Sequence, residues 1–253
     1  MLPGIAQLVR RATGSRGTAD EIAVHWTHRG EHSRLARHLG RHTVRPPASE
    51  ASTVIESLAQ ETNRLGPQPL WSGYEGNNIG GPTRMPDVVR TAATMGALYT
   101  SLVQALRPHI VVEFGTAFGV SGMYFLAGLE ANQHGRLLTF DPNDVWRNAA
   151  LGNLARISNR FESVLGTFED SIDAVLPQGH RIDLAFIDAI HTPEFVQPQL
   201  ELVVERSADG AVIIIDDINF SGEMRACWQR IAEDNRFVSS AALGGRVGIL
   251  ERA

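Results

Sequence analysis

The stretch His109-Ile-Val-Val-Glu-Phe-Gly-Thr-Ala-Phe-Gly-Val-Ser-Gly122 decides the fold. Ile110, Val111 and Val112 form the β-branched run of a buried strand, and Gly115 and Gly119 follow where the chain must turn and bring its backbone close to a ligand. A helix starting at Gly119 offers free N–H groups and positive dipole to a carboxylate or phosphate. A dinucleotide-binding turn reads G-x-G-x-x-G. Here the glycines stand at 115, 119 and 122, with Thr116 and Ala117 where the second glycine would fall. That spacing weighs against a pyrophosphate ligand.

Working outward, Arg136-Leu-Leu-Thr-Phe-Asp141 is a second apolar strand ending in a carboxylate and stopped by Pro142. Asp141 follows Gly115 by 26 residues, a place from which an acid can accept both hydroxyls of a ribose. An adenosine-type ligand fits, without saying which. Residues 161–166, 182–188 and 211–216 read as three further strands, with helical patterns over 143–156, 167–176, 193–206 and 222–234. Phe237 to Leu243, Gly244-Gly245 and Arg246 to Glu251 read as a closing hairpin. Strands alternating with helices imply a doubly wound, mostly parallel α/β sheet whose ligand lies at the carboxyl ends of the strands. Glu113, Asp141, Asp188 and Asp216 all fall at such ends.

The string Val112-Glu-Phe-Gly-Thr-Ala-Phe-Gly-Val-Ser121 resembles the first motif of class I S-adenosylmethionine-dependent methyltransferases, in particular the small-molecule O-methyltransferases related to catechol O-methyltransferase. The resemblance spans about Arg90 to Glu251. It implies a Rossmann-like, seven-stranded sheet with an antiparallel last strand, and S-adenosylmethionine as cofactor. Glu113, Gly115, Thr116, Gly119 and Ser121 would then surround the methionine part, Asp141 would hold the ribose, Thr167 would lie near the adenine, and Asp188 would border both cofactor and acceptor. The resemblance also sets Asp188, His191 and the pair Asp216 and Asp217 where those relatives place a metal-binding Asp, a catalytic Lys and an Asp-Asn pair.

Two departures stand out. All 23 basic Lys-or-Arg positions are Arg, so no lysine can be the base. His191 is the substitute, because an imidazole with a pKa near ~6.5 is competent at neutral pH. Asp217 replaces the Asn, and three carboxylates at 188, 216 and 217 suit either a hard ion such as Mg²⁺ or a metal-free hydrogen-bond network.

Residues 1–65 read as a helical extension rich in Arg and His, with His25, His28 and His32 on one solvated helical face. Residues 66–85 are a Gly/Pro-rich lid or linker whose Trp71, Tyr74, Asn77 and Asn78 suit a partly aromatic acceptor, and residues 86–253 form the cofactor domain. With 253 residues, 43% of them hydrophobic, and a net charge of −5, the chain is long enough to bury a core and is a poor partner for nucleic acid. No apolar run approaches the ~18 residues of a membrane span, and the single cysteine, Cys227, excludes an internal disulfide. These features lead us to expect a cytoplasmic, homo-oligomeric enzyme, such as a dimer, that methylates a hydroxyl of a small molecule in specialised metabolism. An amine acceptor, an NAD-dependent oxidoreductase and a non-catalytic binding protein stay open as alternatives.

Overall fold

The computed structural model describes residues 21–70 and 82–253. In chain order the elements are β1 (Ile22–Arg29), α1 (Arg34–His38), β2 (Thr43–Val44), α2 (Glu50–Asn63), β3 (Gln68–Pro69), β4 (Thr83–Arg84), α3 (Ala93–Leu106), β5 (Ile110–Phe114), α4 (Val120–Asn132), β6 (Arg136–Asp141), α5 (Asp144–Ala155), β7 (Phe161–Leu165), α6 (Phe168–Val175), β8 (Ile182–Ile187), α7 (Pro193–Arg206), β9 (Ser207–Ile215), α8 (Gly222–Ala232), β10 (Phe237–Leu243) and β11 (Val247–Arg252). The large sheet runs β2-β1-β10-β11-β9-β8-β5-β6-β7. Its β5, β6, β7, β8 and β9 are mutually parallel, while β11, β10 and β1 add on antiparallel.

Alternate residues of each strand feed two cores, as the two-residue period of a strand requires. Val111, Leu137, Leu184, Phe186 and Ile214 pack beneath α2, α3 and α4, whereas Val112, Phe140, Ile187 and Ile213 face α6, α7 and α8. Close contact of α3 with α4 depends on small residues: a methyl group at Gly96 would collide with the Tyr124 ring, and one at Gly128 with Val103. Helix starts follow the side chains available, since Ser49, Asn143, Thr167 and Ser221 each accept a backbone N–H of the first turn.

The expected mostly parallel sheet is present, but it has nine strands rather than seven, and the chain ahead of α2 is not a purely helical extension. Residues 22–29 form β1, which pairs with β10 through Val24 and Leu243, so His25 and His28 lie on a strand rather than on one helical face. The physical reason is an alternation, Ile22, Val24 and Trp26, whose first two members are buried in the sheet core. Among the described residues no helix is long and apolar enough to cross a membrane.

Candidate active site

The parallel strand order reverses between β5 and β8, and the crevice at a reversal is where an open α/β sheet binds ligands. Four strand ends are stitched together there. Gly115 N–H and Thr116 N–H donate to Phe140 O, Asp188 N–H donates to Phe114 O, and Asp216 N–H donates to Ile187 O. Gly115 has φ +91°, and a Cβ on it would lie 2.2 Å from Asp188 O, so the two chains meet only because position 115 has no side chain. A cavity of about 550 Å³ opens along these ends, lined by Gly115, Ala117, Asp141, Trp146, Thr167, Asp188, His191, Asp216 and Asp217 together with Phe195, Phe220 and Arg246.

One end of the cavity suits an adenosine. Asp141 Oδ2 accepts the Ala117 N–H at 2.7 Å and Oδ1 accepts the Asn143 N–H at 2.7 Å, which fixes the carboxylate in the cavity lining and leaves a second lone pair on each oxygen. Burial pushes this carboxyl up to about 6. Trp146 stacks on Phe118 at 4.9 Å, and its buried indole Nε1 has no hydrogen-bond partner among the described residues. Thr167 caps α6 and lines the same end, while Phe168 lies edge-on to Phe114 at 3.9 Å and belongs mainly to the core.

The other end carries the acids and His191. His191 Nε2 lies 3.4 Å from Asp217 Oδ2 and 3.8 Å from Asp188 Oδ1, and the ring packs 5.6 Å from Phe220. Burial lowers the pKa of the imidazole, against the opposing pull of Asp217 and Asp216, and so favours the neutral ring. Asp188 is pushed well above the usual carboxylate range by burial and by the charges of Asp216 and Asp217. Phe195, Phe220 and Val88 are exposed apolar side chains that all border the cavity.

Comparison with known proteins agrees with this geometry. Residues 112–218 match a family described as a methyltransferase domain. Rhamnosyl O-methyltransferases of Mycobacterium tuberculosis and Mycobacterium bovis are 28% identical over 133 residues, covering 49% of this chain and 51% of theirs. The chain thus spans about half the length of the curated relatives it matches. Among solved structures, an O-methyltransferase of Streptomyces achromogenes involved in tomaymycin synthesis, in complex with S-adenosylmethionine, superposes with a TM-score of 0.61 at 17% identity, over 82% of this chain and 91% of that one. An O-methyltransferase of Bacillus cereus in complex with S-adenosylhomocysteine gives 0.58 at 20% identity, over 81% and 92%. At those identities the likeness concerns the fold.

The expected site residues divide by where they lie. Gly115, Asp141, Thr167, Asp188, His191, Asp216 and Asp217 share the large cavity, and Thr116 and Ser121 line a small recess that continues from Gly115. Gly119, with φ +82°, is the N-cap of α4 and packs toward Ala150. Glu113 lines neither space. It is fully buried behind the turn, where Ser121 Oγ donates to one of its oxygens and Thr139 Oγ1 donates to the other at 2.6 Å. Trp71 and Tyr74, expected to touch an acceptor, lie outside the described residues.

The position of Glu113 yields a stability prediction. Burial raises its carboxyl from 4.5 to about 7, so the folded state holds this proton more tightly than the unfolded chain. The resulting stabilisation is complete below the unfolded value and is lost as pH rises through about 7, amounting to ~3 kcal/mol. Urea unfolding between about pH 5 and pH 8 should therefore show a fall in wild-type stability that is shallower in Glu113→Gln, Asp141 and Asp188 supplying the remainder. Equal pH slopes for the two proteins would refute it.

Arg246 was not legible as a site residue from sequence. Strand β11 pairs antiparallel with β9, with Gly248 opposite Ile215, and continuing that register by two residues sets Arg246 opposite Asp217. Its backbone O accepts the Ile218 N–H at 2.9 Å, its Nε and Nη2 lie 3.1 and 2.9 Å from the two oxygens of Asp216, and Nε lies 2.7 Å from Asp217 Oδ1. The three carboxylates as arranged do not fit a resident divalent ion. Both oxygens of Asp216 are taken by a guanidinium, Asp217 is shared between that guanidinium and His191, and no group of three or more His, Cys, Asp or Glu suited to a metal occurs among the described residues.

Proposed function

We propose that the protein is an S-adenosylmethionine-dependent O-methyltransferase that acts on a hydroxyl of a small molecule carrying an apolar face. The single observation that supports this most is the juxtaposition, in one cavity, of an Asp141 carboxylate aimed at a ribose site and an acid-flanked His191. The cofactor-bound structural neighbours and the activity named for the mycobacterial relatives favour this donor and an oxygen acceptor. Bound with its ribose on Asp141, S-adenosylmethionine supplies a methyl group on a sulfonium, open to in-line attack.

The chain's own residues do the rest. Gly115 and Ala117 present backbone to the amino-acid end, with Asp188 bordering it, and Trp146 offers an unused indole N–H near the adenosine end. Phe195, Phe220 and Val88 favour an acceptor with hydrophobic surface. The neutral His191 is placed to accept the acceptor's hydroxyl proton, and S-adenosylmethionine held here would supply the methyl group to that oxygen and keep the C–S bonding pair on sulfur. Asp217 stabilises the imidazolium so formed. The Mg²⁺ expected at residues 188, 216 and 217 has no step in this scheme. The buried single cysteine, Cys227, accords with a reducing compartment.

The test is calorimetry with S-adenosylhomocysteine. Wild type should bind it, and Asp141→Ala should bind about 10- to 100-fold more weakly through loss of charge-assisted bonds to the ribose. The absence of heat with wild type, or unchanged affinity in Asp141→Ala, would overturn the reading, and heat with NADH in its place would turn it toward an oxidoreductase.

A further inference from the structure

We infer that Arg246 is a built-in cation of this site: its guanidinium holds the acid cluster of Asp188, Asp216 and Asp217 against divalent ions, so that removing it would turn the cluster into a metal site. The inference rests on the methyltransferase reading for its meaning but not for its test.

The geometry carries it. Arg246 reaches the cavity from the first position after the Gly244-Gly245 turn, where the antiparallel register sets it opposite Asp217 at the tip of β9. It contacts Asp216 with two nitrogens and Asp217 with one, a forked match that a planar guanidinium makes and a point charge does not. Asp216 is 5% exposed, so its charge is held away from water and is costly without a partner. The same acid is anchored from the backbone, since Asp217 N–H donates to Asp216 Oδ1 at 2.8 Å, with Asp217 at φ +52°. Asp217 thereby turns one oxygen to Arg246 and the other to His191.

A divalent ion entering between these carboxylates would have to expel the guanidinium or accept a like charge within a few ångströms of itself, and either outcome removes much of the gain from coordination. With Arg246 in place, the positive charge near the acceptor oxygen comes from the guanidinium and from the imidazolium of His191 as it takes the proton. Without Arg246, Asp216 and Asp217 lose the guanidinium that holds them and are free to turn, with Asp188 and His191, toward an ion in the cavity they share, and carboxylate with imidazole is a donor chemistry that suits Mn²⁺ or Mg²⁺.

The experiment is Mn²⁺ titration followed by electron paramagnetic resonance, on metal-stripped full-length wild type, Arg246→Ala, Arg246→Gln and Arg246→Lys. Wild type and Arg246→Lys should leave Mn²⁺ free, whereas Arg246→Ala and Arg246→Gln should each bind one ion per chain at least about tenfold more tightly. Half of the Arg246 side chain is exposed, and thermal melts confirm that the variants are folded. Stoichiometric, tight Mn²⁺ binding by wild type would overturn the inference, and so would folded Ala and Gln variants that gain no affinity. S-adenosylhomocysteine binding by the same samples reports on the methyltransferase reading separately: wild type that binds neither Mn²⁺ nor the cofactor product sinks that reading while leaving the role of Arg246 intact.

Discussion

His191→Ala should lower kcat by two to four orders of magnitude, about 10²- to 10⁴-fold, while leaving affinity for S-adenosylhomocysteine within about threefold of wild type. The split follows from position. His191 lies at the acid end of the cavity, with its Nε2 against Asp217 and Asp188 and its ring against Phe220, whereas Asp141, the proposed ribose partner, is held by Ala117 and Asn143. Burial lowers the imidazole pKa, so the base is already deprotonated at neutral pH, and loss of activity on acidification should begin below the usual value of 6.5. That acid limb should vanish from the residual activity of His191→Ala, and added imidazole should restore part of the rate. A variant with full activity, or one that retains the same acid limb, would remove His191 from the chemistry.

The contrast between Asp141 and Glu113 shows how far sequence reasoning reaches. Both are acids at the carboxyl ends of adjacent parallel strands, and both were expected at the cofactor. Alternation assigns Val111, and with it Glu113, to the face covered by α4, so Glu113 points behind the turn and takes its hydrogen bonds from Ser121 and Thr139. Asp141 is the last residue of β6 and sits at the mouth, where the turn brings Ala117 N–H to it. Counting back through Thr139 and Leu137 puts Asp141 on the same face as Glu113, so what separates the two acids is depth: Glu113 stands one residue inside β5, whereas Asp141 ends β6, and punctuation alone does not fix a strand end to the residue. The hairpin poses a similar problem. Its two runs and Gly-Gly turn are readable, yet Arg246 joins the site only because β11 pairs beside β9, a long-range choice that no local spacing records. The N-terminal strand is hard to read for another reason, since the apolar alternation Ile22, Val24 and Trp26 is short and runs straight into the polar Thr27, His28 and Arg29.

Gly115→Ala should be the most damaging single methyl group in the chain's cofactor turn, costing ~3 kcal/mol or more of stability and at least about 100-fold in S-adenosylhomocysteine affinity. Two effects add. At φ +91° an alanine pays the left-handed penalty of roughly 1–2 kcal/mol. Its Cβ would also lie 2.2 Å from Asp188 O and 3.3 Å from Ala189 Cα, both backbone atoms, so no rotamer change relieves the contact. Relief requires the end of β8 to move away from β5, which breaks the Asp188 N–H to Phe114 O bond and shifts the segment that carries Asp188 and His191. Cofactor seat and base would be displaced together. Gly152→Ala supplies the control, because Gly152 lies within α5 at an exposed position with nothing within 4 Å of an added Cβ. There the same methyl group should stabilise by about 0.5–1 kcal/mol through higher helix propensity and a more restricted unfolded chain. Thermal unfolding and calorimetry on the pair decide the matter: a Gly115→Ala protein with wild-type melting temperature and cofactor affinity would mean that the close approach of β5 and β8 does not shape the site.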